Sequence, residues 1–319
     1  MQCDTLLSMR PRLLSGAVGL VLLAAGAAPA SAQAWADETG ELSLTLGSAF
    51  QFSRGVYYGD AGLLTGLPAQ SLRSTVGADY TPIEGLTVEA AITAQLDRYS
   101  GPESLPPPSR ILLAHGTQDD GDWHGNVTDA DLRARYQLVD GVVALAPVVL
   151  AKIPVTDYEV TGYAASGTGL VEIGGGLFVG KAGLFVDDLF GQLGYTFTWV
   201  QKEDGGGDAT REFSTHHSDA SLLLGYAITP KLSTVGGAEL RWTHGGVEAV
   251  DIETLDPVVQ MWHDPILKRK YVALSAGAAY GVTRTLELSG MFGAVIWGDS
   301  VSDAKTISLD LSWATDLAN

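Results

Sequence analysis

The chain of 319 residues carries 37 acidic and 19 basic residues, a formal net charge of −18. That excess of carboxylates argues against a nucleic acid or an anionic surface as partner. Its one cysteine, Cys3, lies among the first ten residues, so no disulfide framework is available to the rest of the chain.

At the start, Arg10 and Arg12 precede an apolar stretch, Leu13 to Ala28, that ends in Ala30-Ser31-Ala32 and Gln33-Ala34. A basic n-region, a short h-region and small residues before the junction describe a secretory signal peptide, cleaved after Ala32 or Ala34. Met9 is an alternative start. The stretch is interrupted by glycines and is short for a spanning helix. Cys3 lies in the n-region and not after the h-region, where a lipid-anchor cysteine belongs. We therefore assign residues 1–34 to a signal peptide. Residues 35–319 have no linker or composition break and form one domain. They contain no apolar run of about 20 residues, so no spanning helix is expected.

The remainder reads as twelve strands: 41–52, 71–81, 86–98, 126–138, 142–153, 168–180, 189–201, 215–228, 231–244, 270–282, 285–297 and 304–314. In each, the charges fall on one parity, save for Arg98 and Lys305 near strand ends. Between Asn126 and Leu138 the odd positions are Asp129, Asp131, Arg133, Arg135 and Gln137. The even ones are Thr128, Ala130, Leu132, Ala134, Tyr136 and Leu138. Successive strand residues point to opposite faces, so each strand has one charged and one greasy face. Almost no helix-period segment is present to cover the greasy faces. The expected class is all-β, a transmembrane up-and-down antiparallel β-barrel of about 12 strands with lipid outside.

The connections alternate in length. Short turns follow the second, fourth, eighth and tenth strands, at 82–85, 139–141, Thr229-Pro230 and Thr283-Arg284, and a somewhat longer one, 181–188, follows the sixth. Long gaps follow the first, third, fifth, seventh and ninth strands, at 53–70, 99–125, 154–167, 202–214 and 245–269. Outer-membrane barrels show this asymmetry, with the short turns periplasmic. Tyr80, Tyr136, Tyr226, Tyr280 and Trp313 sit on the apolar parity beside the short turns. Phe50, Phe52, Trp199, Trp242 and Trp297 sit beside the long gaps. Two aromatic belts at opposite ends suit two headgroup layers. The chain ends six residues after Trp313 and lacks the terminal aromatic of many such barrels.

The charged parity is the expected lumen. Its acids are Glu41, Asp79, Glu89, Asp97, Asp129, Asp131, Glu172, Asp219, Glu239, Glu287 and Asp310, and its bases are Arg73, Arg133, Arg135, Lys152 and Arg241. The acid excess would bias an open conduit towards cations. A salt-bridge network filling a narrow barrel, or loops folded inward, fits the same residues. The segment 53–70 carries Val56, Tyr57, Tyr58, Leu63, Leu64 and Leu67, and 245–269 carries Val258, Val259, Met261, Trp262, Ile266 and Leu267. Such apolar clusters suit a hydrophobic-ligand gate or a self-packed lid.

Signals for chemistry are weak. His216 and His217 are adjacent, so a strand sends them to opposite faces and one ion cannot readily take both. His115, His124, His244 and His263 are read as scattered over loops without ligand spacing. Asp119, Asp120 and Asp122 would suit a calcium ion or a plain solvated loop. No nucleophile–base–orienter set emerges, so no catalytic residue, metal site or cofactor is expected.

Five segments resemble one family: Ala114-His-Gly116, Val127-Thr-Asp-Ala-Asp-Leu-Arg-Ala-Arg-Tyr136, Lys152-Ile-Pro-Val-Thr156, Gly167-Thr-Gly169 and Gly194-Tyr-Thr-Phe197. They are similar to the meta-pathway phenol-degradation family, where Asp-Leu-x-Leu-x-x-Arg-Tyr precedes Lys-x-Pro-Thr-Gly and Gly-Thr-Gly. Here Val155-Thr156-Asp157 replaces the usual Thr-Gly, and the segment around Ala91 lacks the family's Pro-Tyr. The likeness spans about residues 110–200. Phe52-Ser-Arg-Gly55 resembles a second, porin-like group. The phenol-family resemblance implies an outer-membrane barrel admitting hydrophobic or aromatic compounds, without supplying binding residues. The expected function is an outer-membrane channel for passive uptake of small molecules. The alternative is a barrel without transport, structural or presenting its loops to partners, or a membrane-embedded hydrolase. Expected partners are outer-membrane lipid, lipopolysaccharide, the barrel-assembly machinery and a small solute.

Overall fold

The computed structural model describes residues 34–59, 62–101, 118–203, 212–249, 251 and 263–316. In chain order the strands are β1 (Glu41–Tyr57), β2 (Leu63–Ile83), β3 (Leu86–Tyr99), β4 (His124–Tyr136), β5 (Val143–Pro154), β6 (Glu172–Ala182), β7 (Leu189–Val200), β8 (Thr215–Thr229), β9 (Leu232–Gly245), β10 (Lys270–Gly281), β11 (Leu286–Asp299), β12 (Val301–Ser302) and β13 (Lys305–Asp316). A single helical turn, α1 (His263–Ile266), precedes β10. Each long strand pairs antiparallel with the next. β13 pairs with β1 from Glu41–Asp316 to Phe52–Lys305, which closes a twelve-stranded barrel. The two-residue β12 adds only a clip on the tip of β1, at Val56 and Tyr57.

Closure leaves no edge, and the alternation read from the sequence becomes an inside and an outside. β3 shows it without a break: Val88, Ile92 and Leu96 are exposed outward, while Glu89, Thr93, Gln95 and Asp97 are buried inward. Outward apolar exposure runs round the barrel through Leu46, Val76, Val149, Leu193, Leu240 and Leu309. All five aromatics beside the short turns, and Phe50, Trp199, Trp242 and Trp297 at the other end, lie exposed on that outer face. Phe52 is half-buried and stacks on Phe50 with centroids 6.1 Å apart.

Four expectations need correction. The segment 53–70 is not a loop, because β1 and β2 continue as a hairpin whose turn occupies only 58–62. Between Ser53–Ala69 and Gly55–Thr65 the register slips. Gly66, at φ +94°, supplies a bulge that carries Leu67 inward to full burial. In β4 the strict parity fails at Thr128, which is buried beside buried Asp129 while Val127 faces out. The cause is the register slip opposite Ile92 and Ala94, where one extra residue reverses the faces. The sixth strand begins at Glu172 rather than 168, because Gly169 takes φ +67° in the preceding loop. His124 and His244 belong to β4 and β9 rather than to loops. The signal-peptide residues through 33, the segment Ala114–Gly116, and Val258, Val259, Met261 and Trp262 lie outside the described residues.

Candidate functional site

The inner wall is divided. From β11 through β13, β1 and β2 it is mostly small and neutral, with Glu287, Asp310, Glu41, Asp79 and Arg73 as the charged exceptions: Thr45 meets Ser312 at 3.1 Å, Thr75 meets Thr93 of β3 at 3.2 Å, and Thr306, Ser308 and Ser289 are buried around them. From β3 to β9 it is charged, because strand register sets opposite charges side by side. Glu89 lies opposite Arg133, Asp131 opposite Lys152, Lys152 opposite Glu172, and Asp219 opposite Arg241.

Those pairs close into contacts. Glu89 binds Arg133 at 3.3 Å and Arg135 at 3.0 Å. Lys152 is in tight contact with Glu172. Arg241 grips Asp219 with two parallel bonds of 2.6 and 3.1 Å, and Tyr271 donates to Glu239 at 2.6 Å. Tyr158 donates to Asp129 at 2.9 Å, whereas Asp131, two residues along the same strand, lies opposite Lys152 in register with its Oδ2 lacking a hydrogen-bond partner among the described residues. A forked guanidinium–carboxylate pair is among the strongest polar contacts, and stranding one partner in a buried site costs about 3–5 kcal/mol. Arg241→Ala should therefore lower the unfolding free energy of the refolded barrel by that amount in a denaturant titration. A change below about 1 kcal/mol would mean Asp219 is well solvated.

Among the described residues, space inside the barrel includes three chambers that share walls. The first, towards the short turns, has an open volume of about 1260 Å³ and is walled by Asp79, Glu89, Asp131, Arg133 and Glu239 among others. The second, of about 680 Å³, includes Asp129, Thr93 and Thr128, and shares Lys152, Glu172, His217 and Arg241 with the first. The third, of about 1390 Å³, includes Asp97, Tyr58, Tyr163 and Tyr271, and shares Arg73, Gln95, Ser166, Leu267 and Arg269 with the second. The middle chamber is the smallest of the three. Charge also changes sign between chambers: six carboxylates face three bases in the first chamber, but two face four in the second.

Both ends carry covers. At the short-turn end the segment Ala34–Asp37 enters the lumen as a strap. The Ala34 amide donates to Gln192 at 2.8 Å and the Ala36 amide to Gln137 at 2.7 Å. Trp35 meets Phe190 edge-on with centroids 6.5 Å apart, and Asp37 reaches Arg135 at 3.6 Å. At the long-loop end Tyr58, Leu67, Tyr99, Ala164, Phe213, Val247 and Ile266, from or beside five connections, pack into one buried cluster. Tyr99 and Tyr163 stack at 4.5 Å. Ile266 and Leu267 thus belong to a packed cap rather than an exposed apolar patch. Beside that cap, hydrogen bonds from Lys268 and Lys270 hold the Glu248 carboxyl below its usual range.

Of the charges read as lumen, Asp79, Glu89, Asp131, Arg133, Asp219 and Glu239 wall the first chamber, Lys152, Glu172 and Arg241 the first and second, Asp129 the second, Arg73 the second and third, and Asp97 the third. Arg135 is buried between Glu89 and Asp37. Glu41, Glu287 and Asp310 share the inward parity on the neutral wall, away from the chambers. His217 is inward, 3.3 Å from Asp219, whereas His216 is outward, stacked on Trp199. Asp119 accepts the Tyr163 and Ala164 amides, and Asp120 accepts the Asp122 amide and His124, so these acids tie loops together. Burial raises the Asp119 carboxyl above its usual range, and the two amides oppose that shift. Among the described residues no cluster of three metal-ligating side chains occurs. The sequence reading missed Trp35, Gln192 and Arg269. No strand period marks the first and third, and Gln192 carries no charge to set its parity apart.

No protein family model matches the chain, and neither does any curated protein. Among solved structures, the COG4313 outer membrane channel from Pseudomonas putida F1 aligns at a TM-score of 0.65 and 14% identity, covering 88% of this chain and 97% of that one. The fold is that of an outer-membrane barrel. The beta domain of the Bordetella autotransporter BrkA aligns at 0.50 and 10% identity, covering 88% and 100%. At such identities the likeness concerns the barrel alone.

Proposed function

We propose that the barrel spans the bacterial outer membrane as a channel for passive entry of small organic solutes. The set of three chambers with shared walls, running from the loop cap to the strap, carries this reading. Export follows from the signal peptide, with cleavage after Ala32 leaving Ala34 in the strap. The short turns face the periplasm and the exposed apolar girdle faces lipid. Hydrophobic or aromatic cargo is favoured by the tyrosines of the upper chamber and by the resemblance to the phenol-degradation family. The charges on the inner wall line the path, and selectivity is set in its smallest chamber. There the bases outnumber the acids, so small anions pass at least as readily as cations despite the acidic lumen as a whole.

Purified protein in a planar bilayer tests this. Discrete unitary steps and a reversal potential near zero or on the anion side are expected in a salt gradient. Strong cation selectivity would move the limiting barrier down into the acidic first chamber. The covers at both ends favour a second reading, a closed barrel that presents its loops. Silence from both the full chain and a chain lacking the strap would select it.

A further inference from the structure

Most basic groups of the inner wall have a carboxylate in contact: Arg133 and Arg135 have Glu89, Lys152 has Glu172, and Arg241 has Asp219. Two do not. Among the described residues, neither Arg73 nor Arg269 has a carboxylate oxygen within ion-pair distance. Both line the same two chambers, the middle and the upper.

Neutral oxygens hold both in place. Arg73 donates from Nε to Gln95 Oε1 at 2.9 Å. The Gln95 amide is itself fixed, since its Nε2 donates to Asp97 Oδ1 at 2.8 Å while Ser166 Oγ donates to Asp97 Oδ2 at 2.6 Å. Arg269 donates from Nη2 to the Asp264 carbonyl at 3.1 Å. In each case one nitrogen is used for positioning and others remain for a ligand. Of the acids nearby, Asp97 is engaged as above, Asp129 by Tyr158, Glu172 by Lys152, and Asp264 by the Gly162 amide at 2.9 Å, while Asp131 lies opposite Lys152 in register and its Oδ2 has no hydrogen-bond partner among the described residues. Above the two guanidiniums the upper chamber offers Tyr58, Tyr163, Tyr271, Val56, Leu267 and Val295.

The geometry points to a binding site in which Arg73 and Arg269 take the carboxylate of an organic acid whose aromatic or apolar body lies against the upper-chamber tyrosines. A planar fork of donors matches a planar carboxylate, and two such forks beside an aromatic wall favour an acid with a ring over an inorganic anion. The assignment names the cargo class of the proposed channel and so rests on that reading.

Calorimetric titration of the full-length protein in detergent with benzoate, benzyl alcohol and inorganic phosphate tests the site without requiring conduction. Benzoate is expected to bind about tenfold or more tighter than benzyl alcohol, the loss anticipated for one charged hydrogen-bond pair, and tighter than phosphate. Arg73→Gln and Arg269→Gln should each weaken benzoate about tenfold while leaving benzyl alcohol unchanged. Equal binding of benzoate and benzyl alcohol by the native protein would overturn the site, and that comparison needs no variant to fold. Phosphate binding as tightly as benzoate, or benzoate unaffected by both substitutions, would also overturn it. Unitary conductance measured in parallel separates the two readings. Benzoate binding without conductance keeps the site and removes the channel, and conductance without discrimination does the reverse.

Discussion

Leu309→Arg is expected to abolish membrane assembly of the barrel, while Asp310→Arg, one residue on, still assembles. Leu309 is 59% exposed on the outer face of β13, opposite Gly290 of β11. An arginine there must place its guanidinium in hydrocarbon, at about 2–4 kcal/mol near the bilayer midplane. Asp310 faces inward among Ser289, Gly47 and the neutral wall, and its Oδ2 has no hydrogen-bond partner among the described residues. An arginine at that position lies diagonal to Glu287, within reach of a long side chain. Heat-modifiable mobility of protein folded into lipid vesicles measures the difference. Equal assembly of the two variants would mean that the parity is misassigned.

Loss of the strap is expected to raise conductance severalfold and to leave the barrel folded. The strap contributes its own side chains to the short-turn mouth and none to the strand ladder. Trp35→Ala removes the ring packed on Phe190, and deletion of 34–38 removes the cover altogether. Gly180→Leu reaches the same end from the wall. A Cβ at Gly180 would come within 2.3 Å of the Trp35 ring and 2.7 Å of Ala34, so the strap must leave. Conductance rising in all three variants identifies the strap as the narrowing at that end. If all three conduct like the full chain, the middle chamber limits flow.

Alternation makes the strands legible, because a period of two with nearly every charge on one parity fits little besides a strand with one wet face. Closure is legible too, since twelve one-sided strands without covering helices leave no other burial for their apolar faces. Departures arise where one residue changes the period. The bulge at Thr128–Asp129 inverts the faces of the start of β4, and no local signal marks it because threonine suits either side. The tip of the β1–β2 hairpin reads as a loop because its apolar residues pack into the cap and so break the alternation. Parity places charges in the lumen, but which pairs meet depends on register. Only register sets Lys152 between Asp131 and Glu172. Arg269 lies in a stretch without periodicity, so its place in the chambers that Arg73 also lines is a product of tertiary packing.

The seam between β1 and β13 joins the two ends of the chain, and it has a consequence for the order of events during folding. Apart from the two-residue β1–β12 clip beside it, every other ladder connects strands adjacent or nearly adjacent in sequence, whereas this one needs both ends at once. Ordering the intervening chain must come before that contact is gained, so the seam is the slowest ladder to form. Until it zips, the sheet has two open edges whose amides and carbonyls lipid cannot satisfy. The strap belongs to a still later moment. Its contacts with Gln137, Arg135, Phe190 and Gln192 lie on β7, at its edge and at the end of β4, across the lumen from the seam. Trp35 can therefore dock only into a finished cylinder, and quenching of its fluorescence would time the last step of assembly rather than the first.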